Sequence, residues 1–124
     1  MKPKMYPSLI EELAPLLDAL SHPARLQIMM HLARFKSCPA GNISNRLPLC
    51  KSTVSQHMAR LRETGLISST PAGLSQQYHL NLERLHQTKE YFLYFIDLII
   101  KENEQKSDCV PPMKEENHFQ SDTY

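Results

Sequence analysis

Between Lys51 and Gly65 the chain gathers side chains suited to hydrogen bonding with a polyanion. Ser52, Thr53, Ser55, Gln56 and His57 come first, followed by Arg60 and Arg62. Val54, Met58 and Leu61 fall among them at i, i+4 and i+7, an apolar stripe at helical spacing. This pattern predicts one helix from Lys51 to about Thr64, with a core-facing back and a polar front. Short hydrogen-bonding groups near a helix N-terminus can reach base edges in a DNA major groove, while nearby cations hold phosphates. Gly65 is placed to end such a helix in the left-handed conformation.

The charge pattern agrees with that chemistry. The formal net charge is only +1. Residues 19–82, however, hold Arg25, Arg34, Lys36, Arg46, Lys51, Arg60 and Arg62 against a single acid, Glu63. A basic middle between acidic flanks is what a segment that binds nucleic acid requires. No catalytic dyad or phosphate-cradling loop is visible, and the chain has 3 glycines, so an enzyme is not expected.

With 124 residues the chain is expected to form one domain over residues 1–106, followed by a flexible polar tail over 107–124 that contains Pro111-Pro112. No apolar run is long enough to cross a bilayer, and Met1-Lys2-Pro3-Lys4 is not the start of a signal peptide. A cytoplasmic protein without a membrane partner is the expectation. The 3 cysteines are odd in number and widely spaced, so they read as free thiols.

The elements that must position the polar helix can be traced on either side. A first helix is expected from Ser8 to Leu20, with Leu9, Leu13, Leu16, Leu17 and Leu20 on its apolar face and Pro15 as a blemish. Ser21 is expected to cap a second helix with Pro23 in its first turn, and Leu26, Ile28, Met29, Leu32 and Phe35 are expected to face mostly the core. Asn42 is expected to cap a short third helix over 43–47. Strands over 66–70 and 76–80 should flank a turn at Pro71-Ala72-Gly73-Leu74. The last helix, over 82–106, is apolar nearly all round from Tyr91 to Ile100. So small a chain has little interior to hide it, and a second copy is the expected cover.

Three segments in register, Asp18-Ala19-Leu20-Ser21-His22-Pro23-Ala24-Arg25-Leu26-Gln27-Ile28, Ser52-Thr53-Val54-Ser55-Gln56-His57 and Leu61-Arg62-Glu63-Thr64-Gly65-Leu66-Ile67, resemble the ArsR/SmtB family of bacterial winged-helix repressors. The resemblance covers about residues 9–105. It implies a mainly α fold with a small β-hairpin wing, dimerising through its first and last helices. Leu9, Leu13, Phe92, Phe95, Ile96 and Ile99 are the residues expected at that interface. The implied function is a homodimeric repressor on an inverted-repeat operator in double-stranded DNA, released by an inducer. The chain departs from the family in two places. Pro48 stands in the turn where many members have Gly. Cys50 stands where a serine usually caps the recognition helix, a substitution that costs about 1 kcal/mol of helix stability.

By match to the family, Ser52, Thr53, Ser55, Gln56 and His57 are the expected base or phosphate contacts. Gln56 is the strongest base reader, because its carboxamide pairs bidentately with adenine. Lys51, Arg60 and Arg62 are expected to hold phosphates, although Arg62 has an alternative pairing with Glu63 or another helix. Ser75 and Gln76 in the wing are expected to touch the DNA backbone.

The inducer is less legible. The family's common metal sites use Cys-x-Cys on the third helix or Asp-x-His on the last. Ser37-Cys38-Pro39-Ala40-Gly41 and Asp97-Leu98-Ile99 supply neither, so no metal is expected. Cys38 and Cys109 resemble the thiol pair of the family's persulfide- and redox-sensing members. With Cys50 they would make a trithiolate suited to arsenite. The alternatives are that the cysteines only fill space, that the protein has no inducer site of its own, or that the winged helix is a protein–protein adaptor.

Overall fold

The computed structural model describes residues 6–36 and 38–111. Its elements are α1 (Ser8–Leu20), α2 (Pro23–Arg34), α3 (Ala40–Ser44), α4 (Lys51–Glu63), β1 (Ile67–Ala72), β2 (Ser75–Leu80) and α5 (Leu82–Glu104). The fold is mainly helical with one antiparallel hairpin, as expected. Residues 106–111 carry no helix or strand, and the rest of the expected tail lies outside the described residues. No described helix is long and apolar enough to cross a membrane.

α1 runs through Pro15, whose ring is on the exposed side. Leu13, Leu16 and Ala19 face inward. Ser21 does not cap α2. It closes α1 instead, its hydroxyl donating to the Asp18 carbonyl at 2.8 Å. The cap of α2 is His22, whose Nδ1 accepts from the Ala24 amide at 3.0 Å, with Pro23 at the first helical position. Of the residues expected inside α2, Ile28 and Leu32 are buried, but Leu26 is 50% exposed and Phe35 39% exposed. α3 starts earlier than expected, after Pro39, so Asn42 lies inside it rather than at its cap. The link to α4 is made by Arg46 and Leu47 amides donating to the Ile43 and Ser44 carbonyls. Among the described residues no non-glycine residue takes a positive φ, so the turn at Pro48 needs no left-handed residue where a glycine would otherwise serve.

α4 ends as its sequence predicts. Gly65 has φ +80°, its amide donates to Arg62 O at 2.9 Å, and the Leu66 amide reaches back to Leu61 O at 3.1 Å. Those paired bonds are a Schellman closure. They carry buried Leu66 and Ile67 into the same core as Val54, Met58 and Leu61, together with Leu16, Ile28, Leu32, Cys38 and Ile43. The strands are longer than expected, pairing from Ile67↔Leu80 to Ala72↔Ser75. Only Gly73 and Leu74 remain in the turn, with Gly73 at φ +65° as two-residue hairpin loops demand. A short bridge between Cys38 and Tyr78 fastens the segment before α3 to the wing.

α5 begins with Asn81, whose Oδ1 accepts from the Arg84 amide at 3.2 Å. Arg84 Nε then donates to Thr64 O at 3.0 Å and ties α5 to the end of α4. Along α5 only Thr88 is buried, while Phe92, Leu93, Tyr94, Ile99 and Ile100 are exposed. α1 packs beside α5, and an apolar concavity of about 370 Å³ lies between them, lined by Leu9, Ile10, Phe95, Leu98 and Ile99 among others. Leu13, expected at the dimer interface, is not part of that open face: at 3% exposure it is buried within the chain itself.

Candidate nucleic-acid interface

Helix α4 separates its two faces as its pattern predicts. Val54, Met58 and Leu61 are fully buried, whereas Lys51, Ser52, Ser55 and Gln56 are exposed together at the opposite side and N-terminal end. The side chain of Gln56 forms no hydrogen bond with another described residue. The back of the helix is thus fixed by the core while the front keeps its hydrogen-bonding capacity.

Thr53, His57, Arg60 and Arg62, also expected on this surface, are tied into the protein. Thr53 is half-buried, and its hydroxyl and that of Ser52 each lie 3.2 Å from Cys50 Sγ. Cys50 makes no side-chain cap bond to the helix amides. Its thiol is exposed, and the Ser52 hydroxyl, followed by that of Thr53, lowers its pKa to about 7. A thiolate is therefore accessible here near neutral pH.

His57 is also half-buried. Its Nδ1 lies 3.2 Å from Arg25 Nη1, and its ring centroid is 4.4 Å from that of His22. Arg25 is itself held by Nε donating to Ala19 O at 2.6 Å. Burial, with His22 and Arg25 beside it, keeps the His57 pKa below the ordinary imidazole value. One nitrogen of His57 is thereby committed to positioning α4 against α2. Nothing local in the sequence marks Arg25 for this task; only the packing of α2 on α4 brings it there.

Arg60 pairs with Asp18 of α1 and lies 3.9 Å from Glu63, so much of its charge is met within the protein. Arg62 takes neither of its expected alternative pairings, with Glu63 or with another helix. It donates to the Ser69 hydroxyl of β1 at 3.3 Å and does not pair with Glu63. It is exposed and bridges the helix to the root of the wing. Ser75 and Gln76 stand exposed at the wing tip, Ser75 Oγ donating to Ala72 O at 3.2 Å.

The three thiols are dispersed. Cys38 is buried at 5% exposure, with His31 Nε2 3.3 Å from its sulfur, while Cys50 and Cys109 are exposed on other segments. Among the described residues no group of three His, Cys, Asp or Glu is placed to hold a metal ion. The trithiolate that arsenite would require is therefore not assembled.

Comparison with known proteins bears on this surface directly. Residues 22–69, which run from the cap of α2 into β1, match the family described as bacterial regulatory protein, arsR family. The chain is 44% identical over 59 residues to the HTH-type transcriptional regulator YgaV of Escherichia coli (strain K12), covering 48% of this chain and 60% of that protein. It is 35% identical over 72 residues to the transcriptional repressor PagR of Bacillus anthracis, covering 58% of this chain and 72% of PagR. Among solved structures, reduced HlyU from Vibrio cholerae N16961 superposes with a TM-score of 0.55 at 31% identity, covering 67% of this chain and 84% of that one.

Proposed function

Because the chain belongs to the arsR family of bacterial regulatory proteins, we propose that it is a homodimeric transcriptional repressor that reads an inverted-repeat operator with α4. The observation that carries this reading is the division of α4. Its apolar side is locked in the core, and Lys51, Ser52, Ser55 and Gln56 are left exposed towards its N-terminal end.

Each residue then has a role set by its chemistry. Gln56 reads a base edge, most favourably adenine, with Ser52 and Ser55 as shorter neighbours. Lys51 and Arg62 hold phosphates and fix register. Thr53 and His57 orient the start and middle of the helix, and Arg60 braces it on α1 through Asp18. Ser75 and Gln76 touch the backbone beside the major groove, in a wing that has no Lys or Arg from residue 67 to residue 80. Dimerisation covers the exposed face of α5, with Phe92, Phe95, Ile96 and Ile99 meeting their counterparts and Leu9 at the border. In a lone chain Phe92 and Ile99, with Leu93, Tyr94 and Ile100 on the same helix, are exposed apolar surface.

For release, we propose that an oxidant or polysulfide joins Cys38 to Cys109. With a peroxide, the two thiols lose two electrons and two protons, which reduce the oxidant to water as the disulfide forms. HlyU from Vibrio cholerae N16961 has a solved structure in a reduced form, which is compatible with such a step. Because Cys38 is covered, its oxidation requires the segment before α3 to open, and this would disturb the Cys38–Tyr78 bridge to the wing.

Selection from a pool of random duplexes tests the central reading. It should return an inverted repeat whose half-sites lie about one helical turn apart. Recovery of duplexes with no shared sequence would remove it. Intact-mass measurement after polysulfide treatment, with Cys38→Ser alongside, tests the release step.

A further inference from the structure

A second candidate site is lined by no residue of α4 or of the wing. Two adjoining cavities, of about 430 and 150 Å³, share His31, Phe35 and Arg46 as lining residues. The larger is completed by Cys38, Asn42 and Asn45, and the smaller includes Arg34. We propose that this hollow between α2 and α3 binds a small free oxoanion, held by the Arg46 and Arg34 guanidinium groups above the His31–Cys38 pair.

The lining is one-sided in charge. It contains two arginines and a histidine and no acid. Among the described residues neither Arg34 nor Arg46 forms an ion pair; both described salt bridges belong to Arg60. Arg46 is held in place without a counter-ion, its guanidinium lying over the Phe35 ring at 4.7 Å from the centroid. A guanidinium kept unpaired at the mouth of a concavity presents its fork of N–H donors to an incoming oxoanion. The Asn42 and Asn45 carboxamides add neutral donors on the same rim.

The floor responds to the same field. His31 is buried, with Nε2 3.3 Å from Cys38 Sγ. Burial first, then Arg46 and Arg34, hold its pKa below the ordinary imidazole value. An anion between the arginines would offset their effect and raise that pKa, so His31 is a built-in reporter of occupancy. Concavity argues for a small free ion over a DNA backbone phosphate, since a phosphate carried on a duplex reaches the rim and not the buried floor.

The test is titration of the full-length protein with inorganic phosphate and with sulfate, replacing chloride at constant ionic strength, while the His31 ring resonances are followed by NMR. A saturable shift is expected, with the His31 pKa raised at saturation. Arg46→Gln, at an exposed position where the fold should be retained, is expected to weaken binding about tenfold or more. Arg34→Gln should weaken it less. A shift that chloride reproduces, no saturable shift, or an unchanged titration in Arg46→Gln would overturn the proposal. So would an Arg46→Gln variant that loses operator affinity and salt dependence while binding free phosphate as before, because the guanidinium would then serve the DNA backbone.

Discussion

Arg25 Nη1 lies 3.2 Å from Nδ1 of His57 and joins the first turn of α2 to the middle of α4. Arginine can only donate, so this bond needs the Nδ1 lone pair and hence a neutral imidazole. His57 and His31 both have pKa values pushed below 6.5, His57 by burial and its neighbours His22 and Arg25, His31 by burial and Arg46 and Arg34. The unfolded chain therefore binds more protons than the folded one in the window below 6.5. Stability from these groups is complete above that value and is lost as pH falls through the lowered folded-state values. Urea midpoints at about pH 7.5 and about pH 5.5 should show a less stable protein at the lower pH, and His57→Gln should reduce the difference. Equal midpoints would contradict this.

Gln56→Ala and Lys51→Ala should fail in different ways. Loss of Gln56 should cost about 1–3 kcal/mol on the operator and relax the preference at one base pair, leaving salt dependence unchanged. Loss of Lys51 should weaken binding to all sequences alike and reduce the salt slope by about 1. Fluorescence anisotropy at several salt concentrations separates the two.

Cys50 should be the fastest thiol to alkylate. It is exposed and its pKa is lowered to about 7, chiefly by the Ser52 hydroxyl, whereas Cys38 is buried. Iodoacetamide followed by peptide mass mapping should label Cys50 ahead of Cys38, with a rate that rises through about pH 7. Labelling should also weaken operator binding, because the added group sits at the entrance of α4. Faster labelling of Cys38 would show that the segment before α3 opens readily.

At 50% exposure, Ile99 has no reason to be apolar in a lone chain. Ile99→Asp should shift sedimentation from dimer to monomer and lower operator affinity, without changing the helical circular dichroism signal. A monomeric wild-type protein would contradict the dimer.

The Schellman closure at Gly65 allows a stability test. A Cβ at this position would meet Arg84 side-chain atoms at 3.6 Å or more, an ordinary contact, so the cost of Gly65→Ala comes from φ +80° alone. About 1–2 kcal/mol of destabilisation is expected in urea denaturation.

What could be read without coordinates follows from which signals are local. The Val54, Met58 and Leu61 stripe and the Gly65 stop are local, and α4 was legible to within a residue. Ser21 and His22 are adjacent polar residues of which only one can cap α2. The choice depends on where α1 ends, and Ser21 is drawn back to Asp18. The burial of Cys38 rests on pairing with Tyr78, 40 positions away in sequence, and no spacing rule reveals it. The polar character of Arg60 and His57 was legible, but their partners Asp18 and Arg25 were not, because both pairs arise from packing between helices. Leu13 shared the spacing of the α1 apolar face, and spacing alone does not divide that face between the protomer's own core and a second copy.

The most direct measurement compares the affinity of the wild-type protein for its selected inverted repeat and for a scrambled duplex of the same length and composition, at one physiological salt concentration. A sequence-reading α4 predicts at least about 10³-fold tighter binding to the repeat, with a large part of that preference lost in Gln56→Ala. Equal affinity for the two duplexes would contradict the account, whatever the strength of binding.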